Sequence, residues 1–299
     1  MQNVENKFKN VGHALKWINE LFRNAGIVNP ERETEILLGY VLKINRFEIY
    51  LSTSRILESK EKLQLEKIIQ KRIERIPLQY IIRRQEFMGL DFLVETGVLI
   101  PRPETEILVE KVLEKIIKLK LSSNIRIADI GTGSGVIAIS ISKFAENVTV
   151  YATDLSTKSL QIAQKNAKKH KCLKKIIFLH GSLFEPFESK IERNSLDGIV
   201  SNPPYINIDD FLSLPPEVRD NEPAIALYGG IEGLDYYYKI ITQSPYFLKK
   251  GGFLALEVGV EQAGKIRELI LKEDRYSKTV DVFKDYSGID RIVMAYCKR

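Results

Sequence analysis

The residues with the clearest chemical potential are Asn202-Pro203-Pro204-Tyr205, which directly follow the apolar run Leu196–Ser201. The run predicts a buried strand that ends in a rigid turn, because two prolines fix φ and carry no backbone N–H. The turn leaves carbonyl oxygens free, while the asparagine adds an amide oxygen and the tyrosine a flat ring. An ordinary proline-stiffened connection would use the same residues. As a site, the motif favours methylation of an amide or exocyclic nitrogen.

A second candidate site lies at Gly131-Thr132-Gly133-Ser134-Gly135, between the short apolar run Arg126–Ile130 and a predicted apolar helix from Val136. Glycines let the backbone turn tightly near a ligand, and a helix start presents unpaired N–H groups. The next predicted strand, Val148–Thr153, ends in Asp154. This is about 20 residues beyond the glycines, where a carboxylate binds ribose hydroxyls in nucleotide-binding units.

The glycine spacing also indicates which nucleotide would bind. It lacks the extra residue of the usual dinucleotide fingerprint, which argues for a single nucleoside carrying an amino-acid tail. S-adenosylmethionine fits that description. The alternative for Asp154 is a helix N-cap, reached through Leu155-Ser156.

Strand and helix signals alternate from Arg126 to the end of the chain, which predicts a parallel sheet covered by helices. In such sheets, ligands bind outside the carboxyl ends of the strands. The glycine segment, Asp154, Ser182-Leu183 and Asn202–Tyr205 all follow predicted strands, so we expect them to meet at one edge. The later elements are predicted near Lys175–His180, Tyr236–Leu248, Gly252–Val258, Gln262–Lys272, Thr279–Phe283 and Arg291–Tyr296.

The 299 residues are enough for about two domains. From Lys7 to about Arg83 the apolar spacing is helical, and Pro30 with Glu31 and Glu33 marks a helix start. Short apolar segments then predict a β-hairpin over 85–100, and Pro101–Glu106 ends the strand and opens a helix that runs to about Leu121. We therefore expect a helical recognition domain over 1–84, a hairpin linker over 85–100 and the α/β domain over 101–299. A purely structural cap is the alternative for the first domain.

Composition excludes few function classes. The net charge of +6 permits an acidic partner without requiring one, and a solvated helix face accounts for the lysines of Lys165–Lys175. No apolar run reaches a membrane span and Met1–Asn6 lacks an apolar signal core, so we expect a cytoplasmic protein with no membrane partner. Cys172 and Cys297 have no metal-type spacing, so we expect structural cysteines and no metal site.

Seven segments occur together in this chain: Phe87–Leu90, Val98–Glu106, Asp129–Gly135, Asn202–Ile206, Glu222-Pro223, Ala226-Leu227 and Gly229-Gly230. In this combination the chain resembles, over nearly its whole length, the protein-(glutamine-N5) methyltransferases that modify peptide chain release factors. Asn-Pro-Pro-Tyr alone is less specific, since DNA adenine-N6 methyltransferases carry a similar motif. The sister family that acts on a ribosomal protein departs from Pro-Glu-Thr-Glu at 103–106.

The resemblance implies an α/β fold: a seven-stranded Rossmann-like methyltransferase domain, with a small N-terminal helical domain joined by a β-hairpin. It implies S-adenosylmethionine bound by Gly131–Gly135, Asp154 and Asn202. The glutamine of the Gly-Gly-Gln motif of class I release factors would be held by Asn202–Tyr205, with Asn202, Pro203 and Tyr205 catalytic and no nucleic acid required. After the third strand, where the family is expected to have an acid that contacts the adenine amino group, this chain has Ser182. The next position, which is often aromatic, is Leu183, so Phe184 becomes the candidate for stacking on adenine.

Three other functions stay open at this point. A DNA adenine-N6 methyltransferase would use the same pocket on a flipped base, with a larger recognition region than the helical segment offers. A ribosomal protein glutamine methyltransferase would share the fold. A non-catalytic S-adenosylmethionine-binding module would not need the intact Asn202–Tyr205 motif.

Overall fold

The computed structural model describes residues 8–119 and 124–298. The predictions for Met1–Asn6, for a helical pattern from Lys7 and for a helix end near Leu121 fall outside these residues. The chain divides into two compact units, Met1–Arg83 and Arg84–Arg299. No helix among the described residues is long and apolar enough to cross a membrane.

The first unit is helical, as its apolar spacing predicts. Pro30 occupies the first turn of the second helix with Glu31 and Glu33, as expected for a helix start. Asn45 caps the third helix, because its side-chain oxygen accepts from the backbone N–H of Glu48. The Glu48 carboxylate in turn accepts from the backbone N–H of Asn45. The helices are α1 (Val11–Asn24), α2 (Pro30–Leu42), α3 (Arg46–Leu51), α4 (Ser59–Ile73) and α5 (Leu78–Ile82).

The second unit opens with a short hairpin of β1 (Gln85–Phe87) and β2 (Leu90–Phe92). Its two-residue turn, Met88-Gly89, has φ of 52° and 70°, the pattern of a type I′ hairpin turn. The prediction that strand structure extends to Val98–Ile100 is wrong. In the described part of the chain no strand covers Val98–Ile100, and the backbone N–H of Ile100 donates to the side chain of Glu222 at 3.0 Å.

The remaining elements form a seven-stranded sheet with helices on both faces, which confirms the predicted fold class. The strand order is β5-β4-β3-β6-β7-β9-β8, with β9 antiparallel to both of its neighbours. The strands are β3 (Ile125–Ile130), β4 (Val148–Asp154), β5 (Ile176–His180), β6 (Leu196–Ser201), β7 (Leu248–Glu257), β8 (Tyr276–Lys284) and β9 (Asp290–Cys297). The helices are α6 (Glu104–Leu119), α7 (Val136–Phe144), α8 (Thr157–Lys169), α9 (Ile208–Ser213), α10 (Pro216–Arg219), α11 (Asp235–Gln243) and α12 (Ala263–Lys272).

Alternate residues of the central strands enter different cores, as the period of two requires. Phe253 and Ala255 of β7 join the core on the side of α6 and α7. Leu254 and Leu256 join the core on the side of α11 and α12. Both faces of the sheet are therefore covered, and only its edges and strand ends remain for a site.

The parallel register brings the predicted site segments to one edge. Ile130 of β3 lies opposite Thr153 of β4 and Ser201 of β6. Ser201 in turn lies opposite Leu256 of β7. The residues that follow these strands, among them the glycine segment and Asn202, therefore emerge side by side.

The register of β6 against β7 depends on a glycine. A Cβ built on Gly198 would lie 2.3 Å from the ring of Phe253, which is fully buried. We predict that Gly198→Ala lowers the free energy of unfolding by about 1–3 kcal/mol, because the ring must leave its packed position. Chemical denaturation measures this.

Gly264→Ala is the matched control, since a Cβ at this exposed position meets nothing within 4 Å. Its effect should stay within about 0.5 kcal/mol. Equal stability of the two variants would contradict the packing role of Gly198.

Candidate active site

A cleft of about 980 Å³, including its open mouth, lies at the carboxyl ends of the strands. Gly131, Gly133, Asp154, Asn202 and Pro203 all line it, so the structure brings both predicted sites together. Much of the remaining wall is apolar, which suits a ligand with a flat base. Other lining residues include Gly97, Leu99, Leu155, Ser156, Ser182, Leu183, Pro204, Pro223, Ile225, Ala226 and Tyr236.

The glycine segment presents backbone rather than side chains to the cleft. Gly131 and Gly133 have φ of 75° and 57°, and a Cβ on either would project into open space. A side chain there would be strained and would occupy room that a ligand needs. Gly135 has a different function: a Cβ would lie 3.0 Å from Ala163 and from Ile139, so this glycine allows close helix packing.

Thr132 and Ser134, predicted as cofactor contacts, do not line the cleft, and neither does Gly135. Thr132 and Ser134 are buried, and the Thr132 hydroxyl donates to Asp129 at 2.6 Å. The Ser134 carbonyl accepts from Asn166 at 2.9 Å. The Thr132 side chain and the Ser134 backbone therefore brace the turn from within the protein.

Asp154 places a half-buried carboxylate in the wall of the cleft. It accepts from the backbone N–H of Gly133 and of Ser156, each at 2.8 Å. Burial raises its pKa, while these two bonds and the charge of His180 lower it. The helix N-cap is Ser156, whose hydroxyl accepts from Ser159, so Asp154 is not the cap. Asp154 therefore links the glycine turn to the wall of the cleft and keeps further acceptor capacity.

The end of β5 forms the opposite wall. Ser182 and Leu183 line the cleft as predicted, and Leu183 holds a φ of 48°, which is rare for a branched side chain. The stacking suggested for Phe184 is wrong. Its ring is buried and stacks on Phe247 with centroids 5.5 Å apart, so it belongs to the core.

Asn202 sits between the cleft and the first turn of α6. Its Nδ2 donates to the hydroxyl of buried Thr105 at 3.1 Å. No donor among the described residues binds its Oδ1, so this oxygen is available to a ligand. Pro203 and Pro204 beside it also line the cleft.

Tyr205 does not line the cleft, in contrast to the prediction that its ring lies against the substrate. The half-buried side chain packs beside Gly259, and its hydroxyl faces the carboxyl of Glu257. Burial, followed by the charge of Glu257, raises the pKa of Tyr205 well above its ordinary value, so the phenol stays neutral.

The backbone of the motif is clamped from several sides. Gln262 donates to the Tyr205 carbonyl at 2.9 Å. Ile206 bridges to Tyr228, and Gly229 is so close that a Cβ would lie 2.6 Å from the Pro204 carbonyl. A Cβ on Gly233 would lie 2.2 Å from the Tyr205 carbonyl, so Gly229 and Gly233 are both required for backbone contact with the motif.

Glu222 connects two segments that are far apart in sequence. Its buried carboxylate accepts from the backbone of Ile100 at 3.0 Å and from the guanidinium of Arg102 at 2.6 Å. The pair holds the Pro101–Glu106 segment near Pro223, a cleft residue. This position also places Thr105 where it can bond Asn202.

Two buried acids border the site, Asp129 behind the glycine turn and Glu257 at the end of β7. Burial raises the pKa of each to about 7, and hydrogen-bond donors offset part of the effect. The sequence reasoning missed Thr105, Glu257 and Gln262. A charged residue directly after the apolar run Phe253–Leu256 was the available signal for Glu257, whereas nothing local marks Thr105 as a partner of Asn202.

Two parts of this chain match known protein families. Residues 13–82 match the family model described as the PrmC N-terminal domain, and residues 103–211 match the methyltransferase small domain. A solved structure of a methyltransferase from Pyrococcus furiosus has a TM-score of 0.51 at 21% identity, covering 77% of this chain and 98% of that one. This likeness concerns the fold alone.

Two curated relatives extend the match to nearly the whole chain. Release factor glutamine methyltransferase of Bacillus cereus is 37% identical over 95% of this chain and 98% of its own length. The protein of the same name from Clostridium acetobutylicum is 41% identical over 88% of this chain and 90% of its own. The chain therefore belongs to the release factor glutamine methyltransferase family.

Proposed function

We propose that this protein transfers a methyl group from S-adenosylmethionine to the side-chain amide nitrogen of the glutamine in the Gly-Gly-Gln motif of class I release factors. The observation that carries the proposal is the free Oδ1 of Asn202 at the cleft, in a chain that belongs to this family. An amide oxygen beside proline carbonyls suits a donor group with two hydrogens.

The residues present fit S-adenosylmethionine. Gly131 and Gly133 leave open space beside their backbone, which allows close approach of an amino-acid tail. Asp154 offers carboxylate oxygens for ribose hydroxyls, and Ser182 and Leu183 form the wall assigned to adenine. Thr132, Ser134 and Gly135 support the turn that carries these contacts. When bound, the cofactor supplies an electrophilic methyl group.

The residues of the motif must activate a poor nucleophile, because the amide lone pair is delocalised into its carbonyl. We assign Asn202 Oδ1 and the Pro203 carbonyl as acceptors of the two amide hydrogens. They orient the nitrogen and favour the positive charge that develops on it during attack. No base is required beforehand, since the surplus proton can leave to water afterwards. Pro204 completes the substrate pocket in this proposal, and Tyr205 anchors the motif from outside the cleft.

Selectivity requires a second surface, because a glutamine side chain offers few distinguishing contacts. We assign this function to the helical unit over 1–84, with 85–100 as the connection and 101–299 as the methyltransferase domain. Neither a membrane nor a nucleic acid has a part in this proposal, and a cytoplasmic location follows from the substrate.

The proposal predicts which macromolecule becomes methylated. With labelled methyl donor, intact release factor should be labelled, whereas ribosomal protein and adenine-containing DNA should not. A short Gly-Gly-Gln peptide should react with a KM at least about tenfold higher than intact release factor, because it lacks contacts to a second surface. Labelling of DNA with unlabelled release factor would instead favour the adenine-N6 alternative.

Asp154 tests the cofactor assignment. We predict that Asp154→Asn weakens S-adenosylmethionine binding by about 1–3 kcal/mol, the scale of lost bonds to a charged group. Asp274→Asn, at an exposed position on the surface, should bind like the wild type. Calorimetry on both folded variants decides the matter, and equal affinities would remove Asp154 from the site.

Asn202 tests the chemistry. Asn202→Ala should lower kcat about 100-fold or more, equivalent to about 3 kcal/mol of positioning and charge stabilisation, with a smaller loss of cofactor affinity. Asn124→Ala serves as control, since this exposed asparagine lies before β3, at the opposite end of the sheet. Near-normal turnover of Asn202→Ala would leave the proposed amide receptor without support.

A further inference from the structure

Glu257 is a buried acid for which the proposed chemistry has no use. It ends β7, is 1% exposed, and its Oε2 makes no hydrogen bond among the described residues. Because Ser201 lies opposite Leu256, the register places Glu257 beside Asn202. Burial of an ionisable group is unfavourable unless it interacts with its surroundings. The groups around Glu257 must therefore account for its burial.

Two side chains of the Asn202–Tyr205 motif lie near this carboxyl, that of Tyr205 beside it and that of Asn202 on the far side of Thr105. The hydroxyls of Thr105 and Tyr205 face it and favour its charged form. Thr105 also accepts the hydrogen bond from Nδ2 of Asn202 at 3.1 Å. Glu257 is thus one hydroxyl away from Asn202 and adjacent to Tyr205.

The hydrogens available on each group set the direction of these hydrogen bonds. A hydroxyl has one hydrogen to donate, and a carboxylate only accepts. When Thr105 donates to the Glu257 carboxylate, its oxygen can only accept from Asn202. Asn202 must then turn its NH2 towards Thr105 and its oxygen towards the cleft.

Protonation of Glu257 reverses the direction of these bonds. The acid can then donate to the Thr105 oxygen, and the Thr105 hydrogen is released to bond the oxygen of Asn202. This favours the flipped amide, which presents NH2 to the cleft. An NH2 there faces the NH2 of a substrate amide, and two donors form no hydrogen bond.

We propose that Glu257 is a positioning residue that acts through Thr105: as a carboxylate it holds Asn202 in the orientation that accepts a hydrogen bond from the substrate amide. The inference rests on the proposed function, since the orientation of Asn202 matters in this way only for an acceptor with NH2 hydrogens.

The surroundings of Glu257 set the pH range in which this arrangement changes. Burial raises its pKa to about 7; Glu104 of α6 adds to this effect, and Arg291 of β9 and the Tyr205 hydroxyl oppose it. Tyr237 of α11 donates to the backbone carbonyl of Glu257 at 2.8 Å and is itself neutral. The carboxylate predominates above this pKa, so the methyl-transfer rate should rise with pH through the neutral range and fall below it.

Glu257→Gln removes the titration, and its amide, which both donates and accepts, no longer dictates the direction of the Thr105 bond. Glu268→Gln is the matched control on the exposed side of α12. Single-turnover methylation of intact release factor at saturating cofactor should rise through about pH 7 for wild type and Glu268→Gln. Glu257→Gln should be at least about fivefold slower at high pH and show no such rise, with its cofactor Kd within about twofold of wild type.

Thr105 provides an independent pair of variants should Glu257→Gln fail to fold. Thr105→Ser keeps the hydroxyl and should retain the wild-type rate and pH profile. Thr105→Val keeps the shape without the hydroxyl and should be slow and independent of pH in this range. Carboxyl ¹³C NMR of glutamate-labelled wild type, with the resonance assigned by its loss in Glu257→Gln, should show the same titration midpoint as the rate.

Two results would overturn the inference: a Glu257→Gln variant with the wild-type rate and pH profile, or equal rates for Thr105→Ser and Thr105→Val. A midpoint of the ¹³C titration that differs from the kinetic midpoint would also overturn it. If wild type leaves release factor unlabelled, the proposed function fails instead, so the two failures are distinguishable.

Discussion

The site depends on the pairing of one strand. All six residues of β6 are buried, and β6 pairs with β3 on one side and β7 on the other. A slip by one residue would turn every side chain of β6 to the opposite core, so the register is strongly specified. This register brings the glycine turn, Asn202 and Glu257 to the same edge. Gly198 helps to maintain this register, because it has no side chain and so leaves room for the Phe253 ring.

The receptor itself is held by polar contacts from distant parts of the chain. Thr105 bonds Asn202, Gln262 bonds the Tyr205 carbonyl, and Glu222 secures the segment that carries Thr105. Buried polar groups that are satisfied in this way give a rigid and specific arrangement. For a reaction that requires orientation and charge stabilisation more than a base, such rigidity is the principal contribution a protein can make.

Much of this arrangement was predictable from the sequence, because local patterns report local structure. Apolar runs followed by Gly131, Asp154 and Asn202 place these residues at strand ends, and strand ends of a parallel sheet meet. The failures concern contacts that no local pattern records. Ile100 bonds Glu222 instead of a strand, Phe184 enters the core, and Tyr205 faces Glu257. Each depends on a partner more than 40 residues away in sequence or on packing that develops only in the folded state.

The proposed function depends on one hydrogen bond, which the oxygen of Asn202 accepts from the substrate amide. A crystal structure of the full chain with the demethylated cofactor product and a Gly-Gly-Gln peptide tests it most directly. We predict that the glutamine nitrogen lies about 2.7–3.2 Å from both Asn202 Oδ1 and the Pro203 carbonyl, with Thr105 still bonded to Nδ2 of Asn202. A glutamine amide bound against another wall of the cleft, or an Asn202 whose oxygen faces Thr105, would contradict it.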